Sequence, residues 1–218
     1  MRVQFLLIGE GTTEHGLVEH LANLCIQVGA TEASGSVPPF ARLEVPVGHN
    51  MVLRLRAAHR LNPLANLYFV HRDADNDDPE PRHSEIMRAV AASAINLAHV
   101  AVVPIHETEA WLLTDEAAIR RVAGRPNGRE PLNLPPLNRI EQTSRPKERL
   151  EAALLTAAQP LAGKRLRSFR QSMGQRRQQL IEELPLGGSL EQLAAWRRLR
   201  DDTAAAIAAL RAAQEVQA

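Results

Sequence analysis

The chain of 218 residues holds a single cysteine, Cys25, which excludes an internal disulfide and a thiolate-built zinc site. Cys25 itself reads as a small buried hydrophobe on a helix. Aromatic residues make up only 3% of the chain, so there is little on which nucleobases would stack. Lysine is nearly absent, with Lys147 and Lys164 alone, and arginine carries almost all the positive charge. No apolar run reaches the ~18 residues that a membrane span requires. Met1 opens directly into the apolar stretch Val3–Ile8, without a basic n-region or a cleavage-type site. That stretch reads as a core strand and not as a signal peptide, and the default expectation is a cytoplasmic protein. Charge of one sign is also missing overall, since the net charge is +1.

The small net charge hides a division. Residues 1–118 carry 8 Lys and Arg against 15 Asp and Glu, a balance of −7. Residues 119–200 carry 17 against 7, a balance of +10. An acidic half followed by a basic half suggests a cation site beside a polyanion-binding surface. The plainer alternative is a set of solvated helix faces.

Hydrophobic patterning predicts an α/β fold with a mainly parallel sheet of about four strands flanked by helices, and a helical C-terminal extension. Val3–Ile8 is a continuous apolar run that ends at Gly9-Glu10-Gly11, and Leu17, Leu21, Leu24 and Val28 then recur at helical spacing. Arg42–Val47 alternates and predicts a second strand, with Gly35–Pro39 as loop. Asn50 is placed to cap a helix that ends before Asn62-Pro63. Leu67–Val70 predicts the third strand, followed by an acidic loop closed by Pro79 and Pro81 and a helix from Ser84 to about Leu97. His99–Ile105 predicts the fourth strand, followed by a helix that runs to about Val122. Residues 123–146 carry prolines, glycines and asparagines without periodicity and read as an irregular linker or lid. These patterns divide the chain into a core at 1–122, that linker, and a basic helical extension at 147–218.

Three acidic clusters follow predicted strand ends: Glu10 and Glu14 after the first, Asp73, Asp75, Asp77 and Asp78 after the third, Glu107 and Glu109 after the fourth. The carboxyl ends of strands in an open parallel sheet share one edge, where ligands bind. Carboxylates brought together repel unless protonated or bridged by a cation, and hard oxygen donors suit Mg²⁺ or Mn²⁺. Familiar alternatives fail on single residues. A P-loop needs Lys-Ser/Thr where Leu17 and Val18 stand, and a dinucleotide fingerprint needs a glycine where Glu14 stands. An EF-hand needs a glycine at Asp78, and a kinase catalytic loop needs an asparagine there. A zincin needs a second histidine at Ala110.

Glu10-Gly11-Thr12-Thr13-Glu14 after the first strand, with Asp73-Ala74-Asp75 after a later one, resembles a Toprim domain, the catalytic module of topoisomerases, primases and OLD-type nucleases. The segment Ile105–Leu113 is also similar to small stand-alone Toprim-like proteins of bacterial defence loci. The resemblance covers about residues 1–118. It implies Glu10 as general acid/base or metal ligand, Asp73 and Asp75 as ligands of Mg²⁺ or Mn²⁺, and Glu14 and Glu109 as further ligands. It also implies metal-dependent nuclease chemistry, with two cations stabilising the attacking and leaving oxygens of a phosphodiester. His71 is the best-placed histidine to donate a proton to a leaving oxygen. Arg165, Arg167, Arg170, Arg176 and Arg177 form the densest basic run and are the candidate nucleic-acid contacts, made through phosphates. Any coupling to ATP requires a separate ATPase subunit. Two other readings stay open: a non-catalytic partner subunit that binds an ATPase or nucleic acid, and a phosphohydrolase or phosphotransferase acting on a small nucleotide.

Overall fold

An unbroken apolar run satisfies its backbone in a sheet and its side chains in a core, and β1 (Arg2–Ile8) does both, with Val3 and Phe5–Ile8 buried. A computed structural model describes residues 1–9, 14–43, 46–96, 98–185 and 187–217. After β1 come α1 (Glu14–Gln27), β2 (Glu32–Ser36), α2 (Met51–Leu61), β3 (Leu67–His71), α3 (Glu80–Ser93) and β4 (Ala98–Val102). The rest is helical: α4 (Glu109–Leu112), α5 (Glu116–Val122), α6 (Pro146–Ala157), α7 (Gly163–Gln171), α8 (Met173–Glu182) and α9 (Ala194–Gln217). The fold is therefore α/β with helices flanking the sheet and a helical C-terminal region, as the patterning predicts.

The chain divides into two compact units. The first comprises Met1–Arg72, Asp78–Val103 and Arg197–Ala218, and the second Asp73–Asp77 and Pro104–Trp196.

In the first unit all four described strands are parallel, in the order β2-β1-β3-β4. All five residues of β3 are buried, which suits a strand with a neighbour on each side. Phe5 of β1 meets Phe69 of β3 edge to face at 5.1 Å. Helix α1 buries Leu17, Leu21 and Leu24 at helical spacing, together with Cys25, whose thiol burial pushes up to about 12. Gly29, at φ 116°, follows the helix end in the conformation glycine adopts at no steric cost. Asn50 caps α2 as its position predicts, its side chain accepting from the Leu53 N–H at 3.1 Å. On α9, Leu199, Thr203 and Ile207 are buried at the same spacing, and Arg211 donates to the Gly29 carbonyl at 2.6 Å.

Three boundaries in this unit differ from the patterning, the simplest being the fourth strand, which ends at Val102 and not at Ile105. The second strand is not at Arg42–Val47. Phe40–Arg42 forms a 3-10 turn, and Glu44 and Val45 lie outside the described residues. The strand that pairs with β1 is the polar segment Glu32–Ser36. Its pairing depends on Gly35, opposite Phe5, because a Cβ there would come within 2.1 Å of the Phe5 ring. Helix α3 begins at Glu80, not Ser84, because Pro81 falls in the first turn, where its missing N–H costs nothing.

The second unit is a helical cluster. Helices α4 and α5 pack on α6 and α8, and α8 packs on α7. Its core includes Ile140, Leu150, Leu154, Leu180 and Trp111, and Trp111 meets Trp196 edge to face at 5.2 Å. The helix predicted to run unbroken to Val122 is two helices, because Asp115 caps α5 by accepting from the Ala118 N–H at 3.0 Å. The stretch Gly124–Arg145 holds one 3-10 segment, Leu137–Gln142, and is otherwise irregular among the described residues.

Candidate functional site

Parallel sheets direct their ligands by strand order. In the first unit the order β2-β1-β3-β4 reverses between β1 and β3. The crevice outside the carboxyl ends of two such strands is the usual ligand position in open α/β sheets. Ile8 of β1 stands in register with Val70 of β3. From there the chain leaves β1 through Gly9 and β3 through His71 and Arg72. The Gly9 carbonyl accepts from Arg54 Nη1. Glu10 lies outside the described residues, as do Gly11, Thr12 and Thr13. Glu14 is the first residue of α1. His71 is the last residue of β3 and only 5% exposed. Arg72 donates its N–H to the Val102 carbonyl at 3.1 Å and pairs with Glu85 of α3 at 3.0 Å.

In the second unit the acidic loop Asp73–Asp77 is bound to the segment Pro104–Thr108. Ala74 N donates to Pro104 O at 3.0 Å, Asp75 N to His106 O at 2.9 Å, and His106 N to Asn76 O at 3.2 Å. Asp73 Oδ1 accepts from both the backbone N–H of Thr108, at 3.0 Å, and its hydroxyl, at 3.2 Å. Thr108 is 2% exposed, so this clamp is fixed in the core of the unit. Asp75 and His106 both occupy left-handed backbone, at φ 63° and 60°. That region costs a residue with a Cβ on the order of 1–3 kcal/mol. His106 Nε2 lies 2.6 Å from Asp77 Oδ1, a close contact without hydrogen-bond alignment. The loop is therefore held in one conformation by contacts from a segment about 35 residues away, and two strained residues face each other across it.

Of the remaining acidic residues, Glu107 accepts the Lys147 N–H at the start of α6, at 3.2 Å. Glu109 is paired with Arg177 at 2.8 Å, with side chains 13% and 26% exposed. Its carboxylate is thus already neutralised by an arginine. Among the described residues no group of three or more His, Cys, Asp or Glu stands close enough to hold a metal ion. Asp73 and Asp75 place two carboxylates on one loop, with Asp73 Oδ1 also engaged by Thr108. Carboxylate oxygens are the donor type that Mg²⁺ and Mn²⁺ prefer, and Mg²⁺ is commonly held by one or two carboxylates with water and substrate phosphate completing its shell.

The five candidate nucleic-acid arginines separate into two groups. Arg176 lies over the Phe169 ring at 3.9 Å and donates to the Val122 carbonyl, and burial lowers its pKa from the ordinary arginine value. Arg177 is the partner of Glu109. These two hold α8 within the unit. Arg165, Arg167 and Arg170 are exposed on α7, and no carboxylate pairs with them among the described residues.

No family model, curated protein or solved structure matches this chain.

Two features have little or no signal in the sequence. Thr108 is the anchor of Asp73, and its only mark is its place between Glu107 and Glu109 on the segment that follows β4. The pairing of Arg177 with Glu109 spans 68 residues and has no local signal.

Proposed function

We propose that this protein carries out Mg²⁺- or Mn²⁺-dependent phosphodiester chemistry on nucleic acid, as a Toprim-like nuclease of the kind found in bacterial defence. The observation that carries the reading is the conformationally held acidic loop, with Asp73 clamped by Thr108 and left-handed Asp75 and His106 bonded to each other. Strain of this kind collects where a fold fixes functional groups. The reversal of strand order between β1 and β3 supports the same reading, since ligands of open parallel sheets bind outside the carboxyl ends of two such strands. Asp73 and Asp75 hold the cation, and Thr108 keeps Asp73 oriented for it. A bound divalent cation supplies charge stabilisation to a phosphodiester under attack. Glu10 moves the proton of the attacking or leaving oxygen, and His71 is the second candidate for that role. Exposed Arg165, Arg167 and Arg170 draw in the phosphate backbone.

A second reading has its own support. The Glu109–Arg177 pair withdraws one of the four expected ligands, which suits a non-catalytic subunit that keeps the fold and binds nucleic acid or an ATPase.

Melting with and without Mn²⁺ tests the cation site. Mn²⁺ at 100 times its dissociation constant stabilises a protein by about 2.7 kcal/mol. The shift is expected in the wild type and absent from Asp73→Ala/Asp75→Ala, and equal shifts in both would remove the assignment. Cleavage of labelled DNA and RNA with Mn²⁺ then separates the readings. Cleavage abolished by Glu10→Gln supports the nuclease, and metal binding without cleavage supports the subunit.

A further inference from the structure

In the second unit, Asn133, Arg139, Gln142, Thr143, Ser144 and Arg149 line a cavity of about 360 Å³, with Pro135 and Pro136 completing its wall. No carboxylate lines it. The guanidinium groups of Arg139 and Arg149 have no ion-pair partner among the described residues, and both side chains are exposed. This sets them apart from their neighbours, since Arg120 pairs with Glu116, Arg121 with Glu183, Arg125 with Glu130 and Arg145 with Glu148. Two acids near them in sequence are committed elsewhere. Both Glu141 oxygens accept backbone N–H groups, from Ala194 at 2.7 Å and Ala195 at 2.8 Å, and Glu148 faces Arg145.

Two unpaired arginines in a concave, proline-walled site with amide and hydroxyl groups have the chemistry of an oxyanion receptor. Arginine presents a planar fork of donors that matches phosphate, and the Ser144 hydroxyl and the Asn133 and Gln142 amides supply further donors. The wall is stiff, because proline fixes its own φ and restricts the residue before it. The Thr143 hydroxyl donates its proton to the Arg139 carbonyl at 2.8 Å, which closes the last turn of the 3-10 segment. Two other cavities differ: the one between α3, β4 and α9 is lined by Glu80 and Asp202 as well as Arg198, and the one lined by Arg42, Arg56 and Arg60 has no hydroxyl or amide side chain among the described residues.

We propose that this cavity binds a phosphate group through Arg139 and Arg149. The phosphate belongs either to a nucleic-acid backbone or to a small phosphorylated molecule. The backbone source rests on the function proposed above, and the small-molecule source does not. Glu107 joins the site to the acidic loop within one unit, since the same segment that clamps Asp73 through Thr108 bonds the start of α6, two residues before Arg149.

The test uses the full chain in EDTA, so that no divalent cation contributes. Inorganic pyrophosphate is titrated calorimetrically, and a labelled single strand of about 20 nucleotides, longer than one such binding site, is titrated across salt. Four proteins are compared: wild type, Arg139→Gln/Arg149→Gln, Arg165→Gln/Arg167→Gln and Arg139→Lys/Arg149→Lys. A drop of about tenfold or more in pyrophosphate affinity in the first variant and not in the second supports the small-molecule source. A salt slope lowered by roughly 1.4, the share of two single-strand phosphates, supports the backbone source. Arg139→Lys/Arg149→Lys keeps the charge and removes the fork, so it retains the salt slope and no longer binds pyrophosphate. It also reads the site should the Gln variant fold poorly. Unchanged binding of both probes in Arg139→Gln/Arg149→Gln, whatever the Arg165→Gln/Arg167→Gln variant does, or no binding by wild type, overturns the proposal. Because no metal is present, that failure is distinct from the absence of a Mn²⁺ effect at Asp73 and Asp75.

Discussion

In the first unit, the five residues of β3 are all buried and Phe5 stacks edge to face on Phe69. In the second, a carboxylate caps the start of α9, another bonds the start of α6, and a third is clamped by a threonine. The first unit keeps its shape by apolar burial along a ladder of parallel strands. The second has an apolar centre of its own, and there it is carboxylates that accept from distant backbone, whereas in the first it is arginines that donate to it, Arg54 to Gly9 and Arg211 to Gly29. The difference bears on function. A sheet offers a rigid edge, whereas a loop of carboxylates needs contacts that hold like charges together, and the second unit is rich in such contacts.

The comparison is broken most directly by matched substitutions. Phe69→Ala empties the centre of the sheet and should cost about 3–5 kcal/mol, the range for a large buried aromatic. Glu141→Ala leaves the two backbone donors at the start of α9 to water and should cost about 1–2 kcal/mol. Urea unfolding of the two variants checks both figures. A Glu141→Ala cost equal to that of Phe69→Ala would show that the polar scaffold of the second unit carries as much stability as the sheet.

Those contrasts also explain which parts of the molecule are legible in its amino-acid pattern. The runs at β1 and β3 are apolar without interruption, so their burial and order can be read from the residues alone. Asn50 is legible as a cap because its bond is three residues long. The segment Glu32–Ser36 is not, since nothing in its polar, glycine-containing composition announces a strand. Its place depends on the Phe5 ring covering Gly35. The acidic loop is legible as a cluster of charges, but its clamp by Thr108 is not, because the contact joins residues 35 apart. Arg176 and Arg177 read as free basic residues for the same reason, and only a partner 68 residues away shows that Arg177 is spoken for. Glu10, the strongest sequence candidate, lies outside the described residues.

A smaller effect sharpens the contrast through acid. His83 of α3 is 8% exposed, and burial chiefly lowers its pKa below the ordinary 6.5, with Arg198 adding to the shift and Glu80 and Asp202 opposing it. A histidine whose folded pKa is depressed takes up its proton first in the unfolded chain. Its contribution to stability is therefore complete above pH 6.5 and is lost as pH falls through the depressed folded value. Glu80, held below its ordinary value chiefly by its hydrogen bond to Arg198, contributes in the same direction but only below about pH 4.5. Melting followed from pH 7.5 to 5 should fall in the wild type and fall less in His83→Gln. Parallel curves would remove His83 as the source.

The smallest effects divide the basic run itself. Arg177 is 26% exposed and its partner Glu109 13%, so the pair is only partly screened by water. Removing one member leaves the other without its partner in a partly desolvated place, and Arg177→Gln should cost about 1 kcal/mol. Arg165, Arg167 and Arg170 stand exposed on α7 with no carboxylate beside them among the described residues. Their replacement by Gln should change stability by no more than about 0.5 kcal/mol. In nucleic-acid binding the order reverses. The α7 variants should lower the salt slope by roughly 0.7–0.9 for each phosphate no longer engaged, while Arg177→Gln leaves it unchanged. Stability and salt titration measured on the same four single variants decide the matter. If Arg177→Gln flattens the slope and leaves melting unchanged, its pairing with Glu109 is incidental, Glu109 returns as a candidate metal ligand, and the basic run acts as one surface.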